Sequence, residues 1–227
     1  MTTRDNFFWL LAGLVFLLFS GALVAQLQLP YGEDLVNLSL LITLLVGVWS
    51  MDIGEKKMRS LKIVVSVWLF SLMAADSFLF DDSSLRNAQL ISAIAFMSLT
   101  IWQAWRAIMF SGPVDSNKIV GAICIYLLLG FVWALAYLLV ESYFPGSLRG
   151  FKDAHWQENL AGVTYFSMVT LTSLGYGDIT PQLPIARFLA YMETITGMFF
   201  IAILVASLIG VRLANNTPGQ NQEKNAN

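Results

Sequence analysis

Charge is what this chain has least of. Only 12% of its 227 residues are Asp, Glu, Lys or Arg, against about 25% in a typical soluble domain. With 57% hydrophobic residues, that deficit excludes an ordinary soluble core and implies an integral membrane protein. The net charge of -2 comes with no polybasic tail, which excludes a nucleic-acid footprint. Cysteine is nearly absent. Cys124 stands alone in an apolar run, so no intrachain disulfide can form and the thiol reads as packing. The only histidine, His155, falls in a loop; it is a candidate pH sensor, although a solvated loop residue is the simpler reading. The sequence holds no catalytic constellation, phosphate-binding loop or metal cluster. The expectation is a protein that is not an enzyme and needs no cofactor.

What the chain has in abundance is long apolar runs. A spanning helix needs roughly 20 mainly apolar residues. Six segments meet or approach this: Phe7 to Leu29, Leu35 to Met51, Leu61 to Phe80, Ala88 to Phe110, Ile119 to Val140, and Ile185 to Leu213. The first is too long for the apolar core of a signal peptide and is read as a spanning helix. A further stretch, Leu160 to Leu171, is too short to span and fits a re-entrant helix. Pro30 to Asp34, Asp81 to Ser84, Ser111 to Pro113 and Pro145-Gly146 punctuate the runs, because proline cannot continue a helix and Asp or Ser can cap one. The residues from 215 to 227, rich in Asn, Gln, Pro and Gly, read as a disordered tail.

Basic residues set the orientation. Lys56, Lys57, Arg59 and Lys62 lie between the second and third runs, Arg106 and Lys118 flank the link between the fourth and fifth, and Arg4, Arg212 and Lys224 lie near the ends. All fall on one side if both termini are cytoplasmic. The cluster from Lys56 to Lys62 could also recruit anionic lipid, but a topology signal is the simpler explanation. Asp76, in the third run, is a membrane carboxylate and so a functional candidate; its nearness to Asp81 favours a residue reaching the interface.

The most informative segment is Thr170-Leu171-Thr172-Ser173-Leu174-Gly175-Tyr176-Gly177-Asp178-Ile179-Thr180-Pro181. Irregular backbone at membrane depth is tolerated only where protein buries it or where it lines a water-filled cavity. The run Ser173-Leu174-Gly175-Tyr176-Gly177 resembles the potassium-channel filter loop, whose general example reads Thr-Val-Gly-Tyr-Gly. From roughly Ile119 to Leu213 the chain is similar to the two-helix pore domain of the potassium channel superfamily. It is most similar to small bacterial ion-channel proteins with a pore helix like Tyr165-Phe166-Ser167-Met168-Val169-Thr170-Leu171-Thr172.

The resemblance implies an all-α membrane protein with six transmembrane helices, a re-entrant pore helix and a filter loop, assembled as a cyclic homotetramer around a potassium pathway. Dehydrating potassium is costly, so stacked carbonyl rings must replace its water. The expected ligands are the carbonyls of Ser173, Leu174, Gly175 and Tyr176, with Gly177 completing the filter and the Ser173 hydroxyl adding an inner ring. The glycines permit positive φ, which lets successive carbonyls face one way. One chain supplies one loop, so a closed ring demands several copies. The C-terminal end of the pore helix adds partial negative charge facing the cation.

Ser173 stands where the family usually has Thr, and Leu174 where it usually has Val. Better-known members carry two Trp residues at the positions of Tyr165 and Phe166, which leaves Tyr165 a hydrogen-bonding role and Phe166 a packing one. Some members carry Glu at the position of Val169, paired with the Asp matching Asp178, so Asp178 needs another partner or faces water. Glu193 is expected to support the filter through the pore helix, with Thr170 or Thr172 as partners. Gly197 reads either as a gating hinge or as a close-packing site. Ile203, Ala206 and Gly210 could line or narrow the pore.

The first four helices match a voltage sensor in number only. One elementary charge contributes about 2.3 kcal/mol per 100 mV, and the fourth run carries one basic residue, Arg106, with Arg86 just outside it. The resulting expectation is three parts: 1–112, a four-helix transmembrane domain without a classical sensor; 113–214, the pore domain; and 215–227, a cytoplasmic tail. Location is expected in a bacterial inner membrane, multi-pass, with lipids and potassium as partners and no evident soluble ligand. The alternatives are a non-selective cation channel and a non-conducting regulatory subunit of another channel.

Overall fold

The computed structural model describes residues 7–27, 32–49, 56–78, 83–110, 116–150 and 156–215. Within them the chain is mostly helical: α1 (Phe7–Leu27), α2 (Gly32–Trp49), α3 (Lys56–Phe78), α4 (Ser83–Phe110), α5 (Ser116–Tyr143), α6 (Trp156–Leu171) and α7 (Pro184–Asn215). Two short strands, β1 (Leu148–Arg149) and β2 (Thr180–Pro181), pair antiparallel. The sequence pattern did not foresee them, because two residues are too few for a period-2 signal. His155 and the tail beyond Asn215 lie outside the described residues, as does the Asp76 side chain.

Among the described residues, four helices are long and apolar enough to cross a membrane: Phe7–Leu27, Ser84–Ile108, Asn117–Tyr143 and Pro184–Leu204. Shorter apolar stretches run through α2 and α3, at Leu38–Gly47 and Ser60–Leu69. These helices make the chain an all-α, multi-pass membrane protein. The apolar residues of α1 occur all round its axis, as expected of a helix that meets protein on one side and lipid on the other. Its buried stripe runs through Phe7, Leu10, Leu14 and Leu17, while Trp9, Phe16 and Phe19 are exposed. Gly13 lets α2 come close: a Cβ there would lie 3.6 Å from Val46, and Thr43 donates to the Gly13 carbonyl at 3.2 Å. Small residues permit such backbone approaches between membrane helices.

Helix α5 is the hub of the chain. Helices α1, α4, α6 and α7 all pack on it. Its N-terminal end is fixed by α1, whose Phe7 ring sits against Gly121 and whose Phe7 amide donates to Asn117 Oδ1 at 3.3 Å. Beyond α5, Gly146 turns the chain with a φ of 81°. Glu141 holds that turn, accepting from the Gly146 amide at 2.6 Å and the Leu148 amide at 2.9 Å. The β1–β2 pair and a Gln182 amide bond to the Ser147 carbonyl, 2.7 Å, tie this outer turn to the entry of α7. Pro184 opens α7, where a missing amide hydrogen costs nothing.

One reading of the first four helices needs correction. Arg86 lies inside α4, near the start of the helix at Ser83, because Ser83 and Ser84 begin it earlier than the apolar pattern does. Arg86 and Arg106 are twenty residues apart, a rise of about 30 Å along one helix, so they form no array. Lys62 of α3 is buried against α2 and α4. Its ammonium donates to the Gly47 carbonyl in the last turn of α2, 3.1 Å away, and lies 5.7 Å from the Phe96 ring centroid. Both contacts suit a cation at a helix C-terminus beside an aromatic face.

Candidate functional site

The pore helix α6 ends in a way that sets the backbone beyond it. Ser173 has φ 59°. Its amide donates to the Thr170 carbonyl at 2.9 Å, and the Leu174 amide donates to the Val169 carbonyl at 2.9 Å. These are the paired bonds of a Schellman cap, with Ser173 at the left-handed position usually held by Gly. Residues Ser173 to Gly177 therefore grow directly out of a helix stop.

Left-handed backbone recurs at every second residue: Ser173 at 59°, Gly175 at 60° and Gly177 at 80°. Alternating hand turns successive carbonyls toward one side, where an extended strand would alternate them. Glycine adopts this without penalty; serine does so at a cost of about 1–2 kcal/mol. No described residue donates a hydrogen bond to the carbonyls from Ser173 to Gly177. The whole segment from Ser173 to Asp178 is exposed in the single chain.

Behind the segment, Tyr165 of α6 donates its hydroxyl to Asp178 Oδ2 at 2.8 Å. Its ring stacks on Tyr176, with centroids 6.4 Å apart and planes 9° from parallel. Tyr165, Tyr176 and Asp178 thus form one contiguous support. Phe166 faces away, buried against Tyr137 of α5 at a centroid distance of 5.0 Å.

Glu193 is fully buried on α7, but its partners differ from the expected ones. Tyr137 donates to one carboxyl oxygen at 2.7 Å, and Ser167 of α6 contacts the other. The Ser167 hydroxyl also lies 2.7 Å from the Gly130 carbonyl. Neither expected threonine bonds the Glu193 carboxyl. Thr172 returns its hydroxyl to the Met168 carbonyl of its own helix at 2.7 Å. The Thr170 carbonyl receives Thr194, the neighbour of Glu193, at 3.4 Å. The carboxyl group therefore joins the middle of the pore helix to α5, one turn before its end.

Gly197 packs against the last residue of α6. A Cβ there would lie 2.9 Å from the Leu171 carbonyl carbon and closer still to its oxygen. Tyr126 of α5 donates to that same oxygen at 3.2 Å. This geometry matches the packing reading of Gly197. Further along α7, Ile203 and Ala206 are exposed in the single chain and Gly210 continues the helix. Ile203, Ala206 and Gly210 are not brought to the filter.

Sequence reasoning missed Ser167, Tyr126, Tyr137, Gly130 and Thr194. A signal for part of this set was available. Tyr126, Gly130 and Tyr137 are spaced four and seven apart, which is one face of a helix, and that face meets α6. Gly130 lies close against α6 there: a Cβ would lie 2.6 Å from the Met168 methyl, which would have to turn aside.

Residues 121–212 match the family model described as Ion channel. The two pore potassium channel c of Oryza sativa subsp. japonica is 35% identical over 81 residues, which is 35% of this chain and 18% of that protein. The inward rectifier potassium channel Kirbac3.1 of Paramagnetospirillum magnetotacticum is 35% identical over 113 residues, 48% of this chain and 33% of that protein. The chain thus spans a third or less of the length of these curated relatives. No solved structure matches it. The matched segment holds α6, the Ser173 to Gly177 segment and most of α5 and α7, and over it the chain is similar to ion channels, potassium channels among them.

Proposed function

We propose that this protein is a potassium-selective channel that conducts ions passively as a cyclic homotetramer. The observation that carries the reading is the alternating left-handed backbone at Ser173, Gly175 and Gly177, whose carbonyls take no donor from the described residues. Such carbonyls can replace the hydration shell of a cation when several copies surround it. Ser173, Leu174, Gly175 and Tyr176 hold the ions, and Gly177 completes the filter. The uncovered aromatic and aliphatic face of α7, including Phe188, Tyr191, Met198 and Phe199, suits contact with further copies of the chain.

In this reading α1 to α5 and α7 each span the membrane, α6 is re-entrant, and both termini are cytoplasmic. Residues 1–112 form a four-helix domain without classical voltage sensing, 113–214 form the pore, and 215–227 form a cytoplasmic tail. The membrane is the bacterial inner membrane, and the partners are lipids and the transported potassium, with no cofactor.

Flux through the purified chain in liposomes tests this. Potassium flux without sodium flux, lost in Gly177→Asp, is the expected result. Equal flux of both ions would replace it with a non-selective cation channel, and no flux under any gradient would favour a regulatory subunit.

A further inference from the structure

Three helices meet at one carboxyl group behind the end of α6. Glu193 of α7, Tyr137 of α5 and Ser167 of α6 are all fully buried. The Tyr137 hydroxyl lies 2.7 Å from Glu193 Oε2. Ser167 Oγ contacts Glu193 Oε1 and also lies 2.7 Å from the Gly130 carbonyl oxygen. Among the described residues no lysine, arginine or histidine bonds this carboxyl.

Three oxygen–oxygen contacts of this kind need three hydrogens. A carbonyl has none to give, so the single hydrogen of Ser167 points at Gly130. The contact between Ser167 and Glu193 must then take its hydrogen from Oε1. Tyr137 supplies the third hydrogen, to Oε2. An ionised carboxylate only accepts, and the two hydroxyl hydrogens would have to cover all three contacts. Its negative charge would also be buried without a cation, which is strongly unfavourable. The path taken by Ser167 agrees with this. A serine inside a helix ordinarily turns back on its own backbone, as Ser92 does at 2.7 Å. Ser167 instead crosses to α5, which leaves its oxygen free to accept from Glu193.

We propose that Glu193 is a neutral carboxylic acid that donates a hydrogen bond to Ser167 and so positions the pore helix. The donors run in one direction, from Tyr137 to Glu193, from Glu193 to Ser167, and from Ser167 to the Gly130 carbonyl. This chain ties α7, α6 and α5 together with no net charge, and its members polarise and strengthen one another. In the proposed channel it holds α6 without a fixed negative charge beside the ion path. That consequence rests on the channel reading; the assignment of the hydrogen does not.

The test is isotope-edited infrared spectroscopy of the full purified chain in detergent at neutral pH. The spectrum of the wild type minus that of Glu193→Gln should contain the C=O stretch of a neutral carboxyl, and carbon-13 labelling of glutamate should move it. Tyr137→Phe should keep that band and shift it to higher frequency, because the carbonyl oxygen loses its donor; this variant serves even where Glu193→Gln does not fold. Carboxylate stretches alone in the difference spectrum would overturn the proposal. So would a neutral band that ignores Tyr137→Phe. Denaturation of the same samples reads the positioning role. Glu193→Ala should lower the folding equilibrium constant about tenfold or more, the worth of the two hydrogen bonds it removes, and Glu193→Gln, which can donate and accept at the same places, should recover most of that loss. Wild-type stability in Glu193→Ala would refute the role. Neither readout measures conduction, so their failure is distinct from failure of the channel reading.

Discussion

Substituting Gly197 by alanine separates a hinge from a packing contact. The new methyl carbon would start 2.9 Å from the Leu171 carbonyl carbon. Carbon atoms prefer about 3.5–4.0 Å, so α7 and the end of α6 must part by about 1 Å. The obstacle is backbone, and it cannot be relieved by rotating a side chain. Overpacking of this kind costs about 1–3 kcal/mol. The shift also pulls the Leu171 carbonyl from Tyr126, whose hydroxyl sits 3.2 Å away, at a further cost of about 1 kcal/mol. Because Leu171 lies two residues before Ser173, the displacement enters the filter directly. The assays are potassium flux in liposomes and denaturation of the same purified sample. Gly197→Ala is expected to lower stability and flux together, and Gly197→Ser to do the same. A hinge would behave otherwise: alanine would slow opening and leave stability intact. Wild-type stability and wild-type flux in Gly197→Ala would refute the packing argument outright.

Other substitutions probe the remaining contacts. Tyr137→Phe and Ser167→Ala each remove one partner of the buried Glu193 carboxyl and should each cost about 1–3 kcal/mol; denaturation of the double variant should show a non-additive coupling of about 0.5–3 kcal/mol. Ser173→Gly should stabilise the pore-helix cap by about 1–2 kcal/mol by relieving the left-handed serine, whereas Ser173→Val should destabilise it, and thermal melts would rank the three. Tyr165→Phe breaks the bond to Asp178 while keeping the ring stack; the paired ion gradients should then show a rise in sodium leak relative to potassium flux.

The helices from α5 to α7 were largely legible in the sequence because their signals are local. A dozen apolar residues before a glycine-bearing loop can be neither a spanning helix nor a soluble loop. The proline and glycine positions bounded α5 and α7. What the sequence hid was tertiary. Ser167 is a lone hydroxyl in an apolar helix, and only folding brings it to Glu193, twenty-six residues on. The expected threonine partners failed because a helical threonine first satisfies its own helix, as Thr172 does. The burial of Lys62 was hidden for a similar reason: nothing in the sequence shows that α2 ends beside it. The boundaries of α3, α4 and α6 were drawn short because apolar periodicity is silent about polar first turns.

The way α6 stops explains why the filter begins where it does. A helix leaves its last four carbonyls without intrahelical partners. Here each has a donor. Thr172 serves Met168, Leu174 serves Val169, Ser173 and Thr194 serve Thr170, and Tyr126 serves Leu171. Two of these donors come from neighbouring helices and the rest from the cap itself. The backbone is therefore self-satisfied up to Leu171, and its free acceptors start just beyond. An ion does not have to compete with the protein for those oxygens. The left-handed serine closes the cap and is also the first step of the alternation that continues through Gly175 and Gly177. Helix termination and the proposed ion coordination thus rest on a single backbone angle. A residue that cannot hold φ near 59° at position 173 should lose both together.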